Sequence, residues 1–291
     1  MKIANYDNRP HLVTPDEAAV IDLAEVLGDR FASFVQIFEQ WDDFVENVRA
    51  IDPATAPSSP LNRERLGSPS PSPRQAVAVG LNYRAHAAES GFAVPDTLPP
   101  TFTKFVSSIT GPDTEVELPA SGNTDWEAEL VVIIGRGGRR IAESEAWSHV
   151  AGLAIGQDLS ERVTQMQGPA PQFSLGKSFP GFAPIGPWLV TPEEFADPDA
   201  ISLGCAIDGE TVQNGSTRDL IFPISALLAK ISEIITLQPG DIVFTGTPEG
   251  VGVGRSPQRF LQPGEQLRTW AEGIGELHQR FVAAPSVATA K

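Results

Sequence analysis

The chain has little cysteine, few basic residues and no long apolar run. Cys205 is the only cysteine among 291 residues, so no disulfide can form within the chain. Lys and Arg number 21 against 37 Asp and Glu, which gives a formal net charge of -16 at pH 7. No basic run exceeds two residues, and this pattern argues against a nucleic-acid or anionic-membrane surface. No stretch approaches the roughly 20 apolar residues that a membrane span requires.

The N-terminal sequence and the length of the chain add two expectations. Residues 1–7 lack the apolar core of a signal peptide, so we expect a cytoplasmic protein. Because the surface suits neither nucleic acid nor a membrane, the expected partner is a small molecule. A chain of this length buries a large core without metal or disulfide staples, and one large domain with a smaller one is the natural arrangement.

A loop-forming segment separates two regions of different character. Residues 28–51 place aromatic and branched apolar side chains at three- and four-residue steps, which predicts an amphipathic helix. Residues 58–74 are rich in Ser, Pro and Arg and cannot form a packed element. The sequence therefore predicts a small domain with its linker over residues 1–70, a large domain over 71–282 and a flexible tail over 283–291.

The large domain is predicted to consist mainly of strands, because short β-branched runs alternate there with Gly and Pro. These runs cover residues 76–79, 130–134, 153–155, 188–190, 201–207, 241–245 and 267–270. The clearest helix of this region is predicted over residues 222–237, where the apolar side chains share one face. The predicted fold class is mixed and β-rich, of the α+β type.

Two acidic residues stand at the mouth of a buried strand. Glu127 and Glu129 alternate in the sequence that leads into the apolar run 130–134, so they share one face of that strand. Asp158 follows a second apolar run, 150–156. Three carboxylates form an oxygen-rich site suited to Mg²⁺ or Mn²⁺. In the alternative, an ordinary ion network neutralises the two glutamates. Its cations would be Arg136, Arg139 and Arg140.

A histidine and a glutamate indicate acid–base chemistry. His86 and Glu89 stand three residues apart, so they lie on one side of a helical turn. The carboxylate would orient the imidazole and raise its basicity, as a general base that takes a proton from water requires. The alternative is an ordinary exposed helix pair, worth roughly 0.2–0.5 kcal/mol.

Two further segments carry features of a ligand site. Lys177 lies in the otherwise uncharged segment 169–189, where a cation would answer an anionic ligand or a carboxylate, although a solvated surface lysine is the alternative. Residues 245–254 form a glycine-rich loop whose backbone can approach a ligand closely. This loop is not a nucleotide loop, because the phosphate-loop pattern requires lysine and glycine where the chain has Arg255 and Glu249.

Seven segments of the chain, in order and separation, resemble one enzyme family. They are Gly80-Leu-Asn-Tyr-Arg-Ala-His-Ala-Ala-Glu89, Asp125-Trp-Glu-Ala-Glu-Leu130, Asp158-Leu-Ser-Glu-Arg162, Gly176-Lys-Ser178, Pro184-Ile-Gly-Pro187, Pro239-Gly-Asp241 and Thr245-Gly-Thr-Pro-Glu-Gly-Val-Gly252. Over residues 75–282 the chain resembles the fumarylacetoacetate hydrolase family. The resemblance implies a β-roll C-terminal domain with a small N-terminal α/β domain, usually in a homodimer. It also implies binding of Mg²⁺ or Mn²⁺ and cleavage of a carbon–carbon bond in a β-diketo or acylpyruvate-type acid, in catabolism of aromatic or sugar-derived acids.

The resemblance also implies roles for individual residues. The metal ligands would be Glu127, Glu129 and Asp158. The catalytic residues would be His86 and Glu89, which activate water, and Lys177, which supports the substrate oxygens at the metal. The residues lining the substrate pocket would be Tyr83, Arg162, Gln165 and Thr247.

Several alternatives stay open at this point. The chain reads Ser160-Glu-Arg-Val163 where many members read Ser-Ala-Arg-Asp, and the lost carboxylate bears on the choice of substrate. An isomerase of the 2-hydroxyhepta-2,4-diene-1,7-dioate type or an oxaloacetate decarboxylase would use the same metal scaffold, and a catalytically silent metal-binding protein would keep the fold alone. Residues 87–100 contain Gly and several Pro, which predicts a mobile lid whose closure brings Glu89 to His86.

Overall fold

The computed structural model of the protein describes residues 1–89, 91 and 93–285, and its fold is the predicted mixed, β-rich one. The strands are β1 (Lys2–Tyr6), β2 (Arg9–Val13), β3 (Ala19–Asp22), β4 (Ser59–Pro60), β5 (Leu66–Gly67), β6 (Ala76–Val79), β7 (Thr101–Thr103), β8 (Ile109–Thr110), β9 (Asp113–Leu118), β10 (Thr124–Asp125), β11 (Ala128–Ile134), β12 (Val150–Gln157), β13 (Ser160–Glu161), β14 (Ala183–Val190), β15 (Ser202–Ile207), β16 (Glu210–Ser216), β17 (Ile242–Phe244), β18 (Gln266–Ala271) and β19 (Gly275–Ala283). The helices are α1 (Leu23–Leu27), α2 (Phe34–Glu39), α3 (Trp41–Arg49), α4 (Arg84–Glu89), α5 (Arg162–Gln165), α6 (Phe173–Gly176) and α7 (Ile224–Ile234). No helix among the described residues is long and apolar enough to cross a membrane.

A twelve-stranded sheet forms the centre of the molecule. Its order is β4-β3-β2-β1-β14-β12-β11-β17-β6-β7, with β5 beside β1 and β8 beside β14. β11 is buried along its whole length, as is usual for a strand that is covered on both faces. β12 and β17 flank β11 in antiparallel orientation, so the ends of these strands meet at one edge of the sheet.

A five-stranded sheet with the order β16-β15-β18-β19-β9 packs against the large sheet. Leu153 and Ile155 of the large sheet share one apolar cluster with Leu203 and Leu277 of the smaller sheet, and α7 covers another part of that cluster. The opposite face of the large sheet carries a second cluster, which is closed by α2 and α3. The remaining two strands, β10 and β13, pair with each other.

The helix predicted over residues 28–51 is interrupted. After α2, Gln40 leaves the helical conformation with φ -126° and ψ 37°, and α3 begins at Trp41. The break lets the Trp41 indole lie directly on Gly135, where an added Cβ would come within 2.6 Å of the ring. Tertiary packing of the aromatic face therefore overrides the regular helical period.

The N-terminal strand and the last described strand are tied into the sheets. β1 pairs with β14, so strands from both sides of the predicted boundary at residue 70 share one sheet. The division into domains stays a prediction. β19 extends to Ala283, and the Ala284 amide donates to the Leu118 carbonyl, so the predicted tail is held at its start. The rest of that tail, residues 286–291, lies outside the described residues.

Candidate metal and catalytic site

Neighbouring strands of the large sheet bring three carboxylates together. β11 and β12 pair so that Glu129 lies opposite Gly156. Glu127 directly precedes β11, and Asp158 directly follows β12. One oxygen of each carboxylate lies within 4.8 Å of the other two, and all three residues are buried. The structure thus places side by side the three ligands that the resemblance implies.

Hydrogen bonds to the main chain fix this arrangement. The Asp158 amide donates to the Glu127 carbonyl at 2.9 Å, which closes the end of the β11–β12 ladder. The Glu127 amide donates to Gln157 Oε1 at 2.9 Å, and the Gly246 amide donates to Glu129 Oε2 at 2.8 Å. Because rigid strands supply the carboxylates, their positions are set before any ligand arrives.

Two lysines neutralise part of the cluster. Lys177 Nζ donates to Glu127 Oε2 and to Asp158 Oδ2, at 2.6 Å in each case. Lys104 Nζ donates to Asp158 Oδ1 and to the Lys177 carbonyl. Both lysines are buried, so a solvated surface position for Lys177 is wrong. Each contact is also a structural requirement, because either partner alone would be an uncompensated buried charge.

The ion network based on nearby arginines is wrong. Arg136 bonds to Asp42 at 2.7 Å on the surface, and Arg139 and Arg140 make no ion pair with any described residue. The arginine that does reach the cluster is Arg162, which the resemblance places in the substrate pocket.

Arg162 is the third cation of the site, and it is partly buried. Its Nε and Nη2 donate to Asp125 Oδ2 at 3.0 and 2.8 Å, and Nη2 also donates to Glu127 Oε1 at 2.7 Å. Its Nη1 donates to Gln165 Oε1 at 2.9 Å, so the structure joins these two predicted pocket residues. Asp125 also accepts from the Gly252 amide at 2.6 Å, which ties Arg162 to the glycine-rich loop.

The charges at the site do not balance. The buried carboxylates of Asp125, Glu127, Glu129 and Asp158 number four, whereas the cations that bond to them number three, namely the buried Lys104 and Lys177 and the partly buried Arg162. Burial alone would raise the pKa of Glu127, but Lys177 and Arg162 hold this pKa well below its ordinary value. Burial, together with repulsion from Asp158 and Glu127, raises the pKa of Glu129 well above its ordinary value. The site therefore has room for further positive charge beside Glu129.

The expected histidine–glutamate pair is formed. His86 and Glu89 lie in α4, and His86 Nδ1 is 2.8 Å from Glu89 Oε1. The Gly250 amide donates to Glu89 Oε2 at 3.0 Å, which fixes the carboxylate to the glycine-rich loop. Since a carboxylate can only accept, Nδ1 carries the proton, and Nε2 is left as the basic nitrogen. His86 is buried, so an ordinary exposed pair is wrong.

The mobile lid expected over residues 87–100 stays a prediction. Glu89, which its closure was expected to bring to His86, ends α4 and contacts His86 in this structure. The helical turn itself sets the pairing, because it places side chains three residues apart on the same side. Ser90 and Phe92, also in the expected lid, lie outside the described residues.

The two remaining pocket candidates occupy different surroundings. Thr247 Oγ1 donates to the Ala128 carbonyl at 2.9 Å and accepts from Gln213 Nε2 at 2.9 Å, so it lies beside the start of β11. Tyr83 is buried in the apolar cluster between the sheets, and among the described residues its hydroxyl has no hydrogen-bond partner. Burial, and next the charge of Glu129, raises the pKa of Tyr83 far above its ordinary value.

Two charged residues of the site escaped the sequence interpretation. Lys104 follows β7 in the pattern Thr101-Phe-Thr-Lys104, and alternation places it on the same face as the buried Phe102. Asp125 stands two residues before Glu127, in the same alternating series as the two glutamates. In both cases period-two alternation was a usable signal, because it puts a charge on an inward-facing position.

The donor set fits a hard divalent cation. Carboxylate oxygens are the preferred ligands of Mg²⁺ and Mn²⁺. Glu129 makes no ion pair with a described residue, and the cluster carries one more carboxylate than cations. A dication would offset this excess and relieve the repulsion that raises the pKa of Glu129.

Known proteins share this architecture. The sequence profile of the fumarylacetoacetate (FAA) hydrolase C-terminal family matches residues 75–282. The human mitochondrial oxaloacetate tautomerase is 38% identical over 281 residues, which cover 94% of this chain and 89% of that protein. A Mycobacterium smegmatis structure provisionally assigned as HpcE is 53% identical, with a TM-score of 0.90 over 98% of this chain and 100% of that one. The maleylpyruvate hydrolase of Sphingobium sp. SYK-6, solved with manganese(II) and pyruvate, is 27% identical, with a TM-score of 0.81 over 98% and 100% of the two chains. The chain belongs to the fumarylacetoacetate hydrolase family.

Proposed function

We propose that the protein is a Mg²⁺- or Mn²⁺-dependent hydrolase that cleaves a carbon–carbon bond in an acylpyruvate-type or β-diketo acid. The observation that carries this proposal is the preassembled His86–Glu89 pair. His86 lies near the carboxylate cluster, since its charge is one of the causes that lower the pKa of Glu127. A base of this kind next to a metal-ligand set is the equipment for activating water. The manganese and pyruvate held by the related maleylpyruvate hydrolase support the same chemistry.

Glu127, Glu129 and Asp158 would hold the metal. When bound, the ion supplies a Lewis acid that stabilises the negative charge developing on the leaving enolate. Lys177 holds two of the three carboxylates in place, because its ammonium group bonds to both. Lys104 supports it by holding the Lys177 carbonyl.

Arg162 and Gln165 are suited to bind the carboxylate of the substrate. One Nη1 proton of Arg162 and the amide protons of Gln165 have no acceptor among the described residues. Arg162 bonds directly to Glu127, and Gln165 bonds to Arg162. Two parallel donors of this type match the two oxygens of a carboxylate. The substrate would therefore be oriented by its acid group, with the distal carbonyl turned toward the base.

His86 would take the proton of the attacking water at Nε2. Glu89 accepts a hydrogen bond from the protonated Nδ1 and stabilises the imidazolium that forms, while the Gly250 amide holds Glu89 in position. The hydroxide adds to the distal carbonyl, the bond between that carbonyl carbon and the neighbouring methylene carbon breaks, and the proton passes to the methylene carbon, which becomes the methyl group of the released oxo acid. Positioned acid–base groups of this kind contribute about 10²- to 10⁴-fold to a rate.

A second candidate is keto–enol tautomerisation, or another isomerase or decarboxylase reaction, at the same site. The observation in its favour is the human relative, an oxaloacetate tautomerase that shares 38% identity over nearly the whole chain. Tautomerisation needs a base that moves a proton between carbon and oxygen, which the same dyad can provide without a water molecule. A catalytically silent metal-binding protein would not need a buried dyad held by a second loop.

A substrate panel separates these reactions. Fumarylpyruvate, simple acylpyruvates, oxaloacetate and diketo sugar acids are incubated with Mn²⁺ or Mg²⁺, and with chelator as the control. Hydrolysis is expected to consume the enol absorbance and release two acids, with pyruvate among the products. Consumption of the enol form with no change in mass would favour the tautomerase, and loss of CO₂ would favour the decarboxylase. Equal rates with metal and with chelator would contradict a metal-dependent enzyme.

We also propose a homodimer in the cytoplasm. Segments 101–112 and 163–189 contain only two charged residues, Lys104 and Lys177, and both are buried. They expose apolar side chains, namely Phe105, Val106, Val163, Met166 and Leu175. A surface free of charge is the one on which two chains of net charge -16 can meet with least repulsion. Light scattering coupled to size-exclusion chromatography measures the oligomeric mass, and a monomer at micromolar concentration would contradict the dimer.

A further inference from the structure

Glu161 is a buried carboxylate that hydrogen bonds stabilise, without any cation beside it. It is 2% exposed, and no ion pair joins it to a described residue. Its Oε1 accepts from the Asn123 amide at 2.8 Å and the Val163 amide at 3.0 Å. Its Oε2 accepts from the Thr164 amide at 2.7 Å and the Thr164 hydroxyl at 2.6 Å. Four donors converge on one side chain, which is close to the full capacity of a carboxylate.

These bonds fix a helix that cannot be stable alone. α5 has only four residues, far below the roughly 12–15 that an isolated helix needs in water. Glu161 is its N-cap, and it satisfies two amides of the first turn. The buried Gln165 and the partly buried Arg162 are the residues of α5 that reach the site, whereas Val163 is 46% exposed. The carboxylate missing at Val163 therefore leaves no gap in the site.

Glu161 also joins α5 to the strand pair that carries Asp125. Thr124 lies opposite Glu161 in the β10–β13 pair, and the Arg162 amide donates to the Asn123 carbonyl at 3.0 Å. The Asn123 amide thus donates to the Glu161 side chain, and the Asn123 carbonyl accepts from the Arg162 amide. The loop closes tightly over the carboxylate, because a Cβ at Gly122 would lie 3.0 Å from Glu161 Cγ.

We infer that Glu161 is a positioning residue that sets the direction in which Arg162 and Gln165 meet the carboxylate of the substrate. The inference rests on the proposed function, since it assigns Arg162 and Gln165 to an acid ligand. Without the Glu161 side chain, α5 still follows β13 in the chain and still lies beside Asp125. Its first turn, however, loses the side-chain acceptors that hold the Val163 and Thr164 amides. The guanidinium–amide pair then samples more orientations, and a bound carboxylate has to order it.

The test compares ligand affinity with metal affinity in Glu161→Ala. Calorimetry measures Mn²⁺ binding to the metal-free protein and oxalate binding to the Mn²⁺-loaded protein. Oxalate affinity is expected to fall about tenfold or more, as the loss of hydrogen bonds to a charged group predicts. Mn²⁺ affinity should change clearly less than oxalate affinity, because none of the three ligands contacts Glu161 and Arg162 bonds to only one of them, Glu127.

Asp22→Ala is the matched control. Asp22 caps the five-residue helix α1 through the Ala24 and Glu25 amides, and it has no contact with the site. It should lose a similar cap without a change in oxalate affinity. Glu161→Gln keeps Oε1 for Asn123 and Val163 but places an amide against Thr164, so it is expected to fall between Glu161→Ala and wild type. It replaces Glu161→Ala if that variant does not fold.

The outcomes are distinct. Wild-type oxalate affinity in folded Glu161→Ala or Glu161→Gln would overturn the inference, and so would an equal loss in Asp22→Ala. Parallel losses of Mn²⁺ and oxalate affinity would also overturn it, because they would show a general collapse of the site. If the wild-type protein binds Mn²⁺ but no oxalate, the proposed function itself fails, and the role of Glu161 fails with it.

Discussion

Replacement of Lys177 by methionine probes how strongly the carboxylate cluster depends on its cations. Lys177 Nζ bonds to Glu127 and Asp158 at 2.6 Å each, and the side chain is 3% exposed. Methionine has a similar length and no charge, so Lys177→Met removes the ammonium group and leaves most of the packing. The two carboxylates would then face each other and Glu129 with Lys104 and Arg162 as the remaining cations.

The expected loss is large in metal-free buffer. Breaking a buried ion pair by removing one partner costs about 3–5 kcal/mol, whereas an exposed pair contributes at most about 1 kcal/mol. Each kcal/mol lowers the melting temperature of a chain of this size by roughly 2–4 °C, so a decrease of roughly 6–20 °C is expected. Mn²⁺ at a hundredfold excess over its Kd would add about 2.7 kcal/mol to the stability of the variant, because the ion binds the folded state alone.

The assay is thermal unfolding of Lys177→Met and wild type in chelator and in excess Mn²⁺. Lys2→Met is the matched control, because Lys2 pairs with Glu17 at the surface, and its removal should change stability by less than about 1 kcal/mol in either buffer. Glu129→Gln should have the opposite sign and should not lower metal-free stability, since it removes the carboxylate that repels the other two. If Lys177→Met and wild type have the same melting temperature in chelator, the reasoning about buried charge is refuted.

Three further predictions concern the dyad, the pocket arginine and the cysteine. His86→Ala and Glu89→Gln should each lower hydrolysis about 10²- to 10⁴-fold with unchanged Mn²⁺ affinity, and a wild-type rate in steady-state kinetics would reject the dyad as the base. Arg162→Lys keeps the charge but loses the fork that spans Asp125, Glu127 and Gln165, so the KM for the acid substrate should rise about tenfold; an unchanged KM would argue against carboxylate binding there. Burial raises the pKa of Cys205, so a thiol reagent should modify no cysteine in the folded protein and one per chain in denaturant.

The sequence predicts best the strands that are mainly apolar. Each of the seven strand runs of the large domain lies in or overlaps an observed strand. Six of them are mainly apolar, which is a strong local signal, and residues 267–270 alternate between buried and less buried positions. β9 was missed, since one of its faces meets solvent and only Val116 and Leu118 are buried. The strands near the N-terminus were missed for a related reason: polar residues such as Asn5 and His11 are buried there by their partners.

The site shows the same division between local and long-range information. The His86–Glu89 pair depends on one helical turn, so spacing alone predicts it. The pairing of Lys104 with Asp158 joins residues 54 positions apart, and nothing in either local sequence specifies that contact. Arg162 was assigned to the pocket by resemblance, but its bonds to Asp125 and Glu127 depend on how β10 meets β13.

The origin of the metal ligands in one strand ladder has a consequence for how such enzymes diversify. Glu127, Glu129 and Asp158 belong to the ends of β11 and β12, whose side chains also fill both apolar cores, so substitutions there disturb folding and chemistry together. The dyad lies instead on α4, and Arg162 and Gln165 lie on α5; these helices have six and four residues and are held mainly by hydrogen bonds. Mutation can remodel these short helices at little risk to the core. New reactions can therefore evolve through changes in these short helices while the metal-binding ends of β11 and β12 stay the same.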